Sequence, residues 1–138
     1  MSAAVTRSAN KLRKDGFIVA NVEKWIPIPG KAFKVTRDAF GFGDLLIAGP
    51  NGWGAALVQV TDSSSITARI KKIQGIAKDT QDLKQVKDAL AANENAVAWL
   101  RAGNRIFVHG WGKYKLARGG KACRWRCNEI EITLEHFA

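Results

Sequence analysis

The chain has 138 residues, with 46% hydrophobic and 25% charged content. That is the make-up of a folded domain with room for a core, and it excludes a disordered or fibrous chain. Its 22 Lys and Arg outnumber 12 Asp and Glu, and the resulting net charge of +10 is spread along the sequence, which favours a polyanion partner, most often a nucleic acid.

No apolar run approaches the roughly 18–20 residues that cross a bilayer, and the polar N-terminus lacks an apolar signal core. No membrane association and a cytoplasmic setting are therefore expected. Cys123 and Cys127, if they share a strand, lie about 13 Å apart, too far for a disulfide. They read as reduced and packed.

Residues 4–15 place Val5, Ala9 and Leu12 on one stripe, with Arg7, Lys11 and Lys14 elsewhere. This predicts a helix, stopped by Asp15-Gly16. Phe17 to Trp25 reads as a strand ending before Pro27 and Pro29, which cannot donate to a ladder. Lys31 to Asp38 is a short strand or a basic loop carrying Lys31, Lys34 and Arg37. Leu45 to Ala48 is a buried strand, Gly49-Pro50-Asn51-Gly52 is a turn, and Gly54 to Thr61 returns antiparallel.

Asp62 and the three serines after it suit a helix cap. Ile66, Ile70, Ile73 and Ala77 then form a helical stripe, flanked by Arg69, Lys71 and Lys72. A second helix spans roughly 81–102, with a fresh start at Asn93 and a stop at Gly103. Arg105 to His109 is a strand, followed by Gly110-Trp111-Gly112-Lys113 and a turn at Arg118-Gly119-Gly120-Lys121. Beyond it, Cys123, Trp125 and Cys127 alternate with arginines, then Ile130, Ile132 and Leu134 alternate with polar residues. The parity flips near Asn128, which predicts a bulge or turn there. The order implies one α/β domain over 1–138, a mixed β-sheet flanked by α-helices.

The chemistry gathers on the central hairpin. Strand side chains alternate faces, so Gln59 and Thr61 point one way and Ala56, Val58 and Val60 the other. Burying an unpaired polar group costs about 1–3 kcal/mol, so polar residues in this run need a reason. Asp44 beside them suggests an oxygen-lined site for a hard cation. Asp38 reads first as a turn residue and second as a further carboxylate for that site, and Asp62 reads first as the helix cap and second as such a carboxylate. His109 reads first as a strand-end histidine held by hydrogen bonds and second as a catalytic base. Trp99 reads as core, whereas Trp53 and Trp111, set among glycines, read as exposed rings for base stacking.

With these residues in view, Lys14-Asp15-Gly16-Phe17, Gly43-Asp44-Leu45-Leu46-Ile47-Ala48 and Val58-Gln59-Val60-Thr61 resemble the PD-(D/E)XK nuclease superfamily. The order is most similar to archaeal-type Holliday junction resolvases and VRR-NUC nucleases. The resemblance covers roughly residues 4–75. It implies a restriction-endonuclease-like fold and a divalent-metal-dependent DNA endonuclease, with branched or junction DNA among its substrates and a homodimeric assembly.

Under that resemblance Asp44 and Gln59 bind Mg²⁺ or Mn²⁺, and Glu23 stands in for the acid that the first helix lacks. Thr61 occupies the family's lysine position and cannot carry its charge. Lys72, with Arg69 and Lys71, then becomes the source of positive charge, and Lys113 is a second candidate. Lys31, Lys34, Arg37, Arg69, Lys71, Lys113 and Trp111 form the expected DNA-binding set. Two other readings stay open: a degenerate nuclease fold that only binds nucleic acid, and a basic structural or interaction protein such as a phage component.

Overall fold

The structure is a computed structural model that describes residues 2–32, 34–76 and 82–138, with backbone only for 34–36. Helix α1 (Ala3–Lys14) starts at Ser2, whose Oγ accepts from the Val5 amide, and its last turn carries Lys11, Arg13 and Lys14, which suits the negative end of the helix dipole. Val5, Ala9 and Leu12 are buried, as their spacing predicts. Among the described residues no helix is long and apolar enough to cross a membrane.

Among the described residues seven strands follow α1: β1 (Ile18–Asn21), β2 (Lys24–Pro27), β3 (Lys34–Arg37), β4 (Leu45–Gly49), β5 (Gly54–Asp62), β6 (Arg105–Lys115) and β7 (Cys123–Ile132). Five of them form a mixed sheet in the order β1-β4-β5-β6-β7, and β2 and β3 pair separately. β5 and β6 are parallel, and the other pairs are antiparallel. The crossover joining β5 to β6 holds a 3-10 turn (Ser63–Ser65), α2 (Ile66–Gln74) and α3 (Leu83–Arg101).

Alternation along β5 splits the core in two. Ala56, Val58 and Val60 pack with Val5, Ala9 and Leu12 of α1. Leu57 faces the other way, with Ile66, Ile73 and Ala96 of the crossover helices. The sheet is therefore covered on both faces, as the apolar content of its central strands requires.

Several expectations are corrected. Phe17 to Trp25 is not one strand: the Asn21 side chain accepts the Glu23 amide, the chain bends, and β2 leaves the main sheet to pair with β3. Pro27 is the last residue of β2, on a two-stranded ribbon, where a missing donor is tolerated. Asn93 starts nothing, because α3 runs through it; its Nδ2 instead donates to the carbonyl of Gln74, at the end of α2. Helix α2 stops at Gln74, where Gly75 adopts φ 73°, and Ala77 lies outside the described residues.

The strand after α3 does not end at His109 but continues to Lys115. Nor is there a bulge at Asn128, since β7 keeps one register with β6 from Ile132 to Cys123. The parity flip has another cause. Ile130 and Ile132 pack with the α2/α3 core, whereas Cys127 packs with the α1 core. The cover changes sides along a straight strand.

Trp111 is buried, not exposed. A Cβ on Gly110 would run into Ile66, and one on Gly112 would lie 2.6 Å from Ser63 Oγ. The two glycines let the start of the crossover dock on one face, while Trp111 fills the α1 core on the other. Its Nε1–H donates to Ser8 Oγ at 2.7 Å. Ser8 lies 3.0 Å from His109 Nδ1, and His109 Nε2 lies 2.8 Å from Glu129 Oε2. With the Ser8 hydroxyl donating to Nδ1, the ring hydrogen sits on Nε2 and points at Glu129. That bond holds the Glu129 carboxyl below its ordinary value. Both Ser8 and His109 have no exposed surface.

Candidate functional site

Three carboxylates converge at the end of β5. Carboxylate oxygens of Glu23, Asp38 and Asp44 all lie within 4.8 Å of one another. Each is placed by backbone pairing. Ala39 and Gly43 form an isolated antiparallel bridge, closed by hydrogen bonds of 2.8 and 2.9 Å in the two directions. Phe40 and Gly41 turn the chain at φ 56° and 88°, and glycine takes such a value freely. Asp38 and Asp44 flank that bridge and so stand opposite one another. The Val22 amide donates to the Asp44 carbonyl, extending the β1–β4 pairing, and the bend after Asn21 swings Glu23 into the group. A Cβ on Gly43 would sit 2.8 Å from Leu57 Cδ2, so the loop approaches β5 closely enough to bring Asp44 onto Gln59.

Asp44 is 3% exposed, and its Oδ2 accepts from both Gln59 Nε2 and the Val60 amide, each at 2.8 Å. Its pKa is pushed up to about 8. Burial is the main cause, the Asp38 and Glu23 carboxyls add to it, and the Val60 amide opposes it. Gln59 is 2% exposed, and with its amide nitrogen spent on Asp44, its Oε1 has no hydrogen-bond partner among the described residues. Lys72, on α2, reaches over to Asp38 with Nζ–Oδ2 at 2.8 Å.

The group opens into a cleft of about 1250 Å³ whose walls include Arg37, Arg69, Lys71 and Lys72. One side is acidic and deep, the other basic and superficial. Hard oxygen donors in this number suit Mg²⁺ or Mn²⁺. The three carboxylates and the unpartnered Gln59 Oε1 supply such a donor set, so the residues present fit a divalent ion.

The expected site residues fall into three groups. Glu23, Asp44, Gln59, Lys72, Arg37, Arg69 and Lys71 share the cleft. Thr61 points to the same side of β5 as Gln59 but is buried beyond the cleft walls. Lys113 also lies away from them, with its Nζ 5.4 Å from the Trp125 ring. Lys31 is exposed outside the cleft, the Lys34 side chain falls outside the described residues, and Trp111 belongs to the core. Trp53 is half-buried against Phe17 and Phe107.

Asp38 is the ligand candidate that the sequence ranked first as a turn residue and only second as a further carboxylate. It is in a turn, and that turn delivers it to Asp44. The available signal was Phe40-Gly41 midway between two aspartates, the spacing of a tight reversal.

No protein-family model matches the chain, and neither a curated protein nor a solved structure matches it.

Proposed function

We propose that this protein is a divalent-metal-dependent endonuclease of the PD-(D/E)XK type that hydrolyses DNA phosphodiesters, with branched or junction DNA among its substrates. One observation carries the reading. A three-carboxylate group, with Asp44 buried and Glu23 and Asp38 half-buried, lies beside the buried Gln59 amide oxygen, which has no partner among the described residues, in a cleft with basic walls. Carboxyls this close disfavour one another's charged forms, which is part of what raises Asp44, and a divalent ion would relieve that.

Glu23, Asp38, Asp44 and Gln59 Oε1 would hold the ion. A divalent ion held there supplies Lewis-acid polarisation of a phosphoryl oxygen and makes water a stronger acid. The remaining roles fall to the chain. The Val60 amide and Gln59 Nε2 hold Asp44 Oδ2 in one orientation. Lys72, from α2, brings an ammonium to the rim of the carboxylate group and takes over the charge that Thr61 cannot supply. Negative charge building on a phosphate in the cleft would meet it there. Arg37, Arg69 and Lys71 would hold flanking phosphates, each contact adding to the salt dependence of binding.

The test is cleavage of labelled linear, nicked and four-way-junction DNA with Mg²⁺ or Mn²⁺, comparing wild type with Asp44→Ala. Metal-dependent cleavage that disappears in the variant supports the assignment. A second reading rests on the 2.8 Å Lys72–Asp38 pair, in which the lysine itself balances the acids and the fold only binds nucleic acid. No cleavage, with equal salt-sensitive binding by both proteins, selects that reading.

A further inference from the structure

The β6–β7 ribbon runs out beyond the rest of the sheet. Trp111 on β6 is the register partner of Asp62, the last residue of β5, yet β6 continues to Lys115 and β7 returns from Cys123. Because β5 and β6 are parallel, the ribbon leaves at the end of the sheet where Gln59 and Ser64 line the cleft. Its base rests there too, with Gly112 against Ser63.

From Lys113 to Arg126 every residue but the half-buried Gly120 is exposed. The segment carries Lys113, Lys115, Arg118, Lys121, Arg124 and Arg126 and no Asp or Glu. None of the ion pairs among the described residues involves these six. Exposed rings hold some of the cations instead. The Arg7 guanidinium of α1 lies 3.6 Å over Trp125, Lys113 Nζ lies 5.4 Å from the same ring, and the Arg126 guanidinium lies 4.8 Å over Tyr114. A cation–π contact fixes a head group without neutralising it. Like charges gathered this way repel one another, and a polyanion relieves that repulsion.

We propose that the β6–β7 ribbon is a docking arm for the phosphate backbone of duplex nucleic acid. A two-stranded β-ribbon is one of the elements that a major groove admits. Arg124 and Arg126 share one face about 7 Å apart, while Lys113 and Trp125 occupy the other. Charge on both faces of a narrow ribbon suits a groove walled by phosphates on two sides better than the single plane of a lipid surface. The choice of nucleic acid as the polyanion rests on the nuclease reading of the adjacent cleft, although docking itself needs no cleavage.

The test is anisotropy of a short labelled duplex in EDTA across a salt series. The triple variant Lys115→Ser/Arg124→Ser/Arg126→Ser should bind at least about tenfold more weakly at low salt, with its log–log salt slope shallower by about 2–3. A control with Lys14→Ser/Lys84→Ser/Arg101→Ser, which removes the same charge elsewhere, should lose less than half of that slope. Equal losses in both variants, no loss in the ribbon variant, or tighter binding to phosphatidylserine vesicles than to duplex would each overturn the arm. Far-UV circular dichroism should be unchanged in both variants, because all six positions are exposed. Cleavage assayed in parallel with Mg²⁺ separates the two proposals. Ribbon-dependent binding without cleavage keeps the arm and sinks the nuclease. Cleavage with ribbon-independent binding does the reverse.

Discussion

Two polar clusters, each with a buried centre, invite comparison in this fold. One joins Trp111, Ser8, His109 and Glu129; the other joins Glu23, Asp38, Asp44 and Gln59. By residue type the first has the look of hydrolase machinery, since it places a serine, a histidine and a carboxylate in line. Its bonding is closed, however. Ser8 accepts from Trp111 and donates to His109, which donates to Glu129, and neither Ser8 nor His109 meets solvent. A nucleophile with no approach path and no spare bond is an internal strut. The second cluster is open. It crowds three carboxyls together, one amide oxygen has no partner among the described residues, and a cleft leads to it. Unfinished bonding, more than residue identity, separates a site from a support.

The sharpest way to break this comparison is Asp44→Ala. It should lower metal-dependent DNA cleavage by about 10³-fold or more, the scale of removing a group directed at the transition state. Ser8→Ala should leave cleavage at the wild-type level under conditions where the variant is folded. Its effect should appear in stability instead, as a loss of about 2–4 kcal/mol in urea unfolding, because it strands the Trp111 and His109 nitrogens in the core. Cleavage lost in Ser8→Ala without unfolding would reverse the assignment of the two clusters.

Next in size is the response to metal. Mg²⁺ or Mn²⁺ at 100 times its dissociation constant should stabilise the fold by about 2.7 kcal/mol, roughly 10 °C in melting temperature for a domain of this size. Asp44→Asn should remove that rise. A wild type whose melting temperature ignores both ions would leave the acidic cluster without its ligand.

The smallest effect belongs to the closed cluster. The Glu129 carboxyl is held below its ordinary 4.5 by the His109 bond. A lowered folded-state value means stability that is present above pH 4.5 and is lost as pH falls through the folded value. Wild type should therefore lose more stability than Glu129→Gln when urea unfolding is followed downward from pH 6. Parallel curves would show that the His109 bond contributes nothing.

What the sequence disclosed and what it concealed follow from range. The stripe of α1 and the alternation of β5 are local periodicities, so Val5, Ala9, Leu12, Gln59 and Val60 could be placed on their faces without a fold. Asp44 stood at the mouth of a readable strand. Glu23 and Asp38 were harder, because their convergence depends on an Asx bend and a three-residue reversal that only pairing with β4 gives direction. Trp111 was misread since its flanking glycines imitate a loop; they serve the docking of Ile66 and Ser63 from the crossover, a contact with no local signature. The straight course of β7 through its parity flip was hidden for the same reason, as it depends on which face each neighbouring element covers.

The parallel pairing of β5 with β6 has a kinetic consequence. Ala56 finds Arg105 only after the whole crossover has closed, and long closures of this kind slow folding. The four oxygen-bearing residues of the acidic cluster all come from the stretch between Glu23 and Gln59, joined by antiparallel neighbours and a tight reversal. On the way to the native state these residues can therefore meet while the sheet is still incomplete. The acidic cluster is thus built from near neighbours in the chain, whereas the β5–β6 pairing that closes the sheet is not.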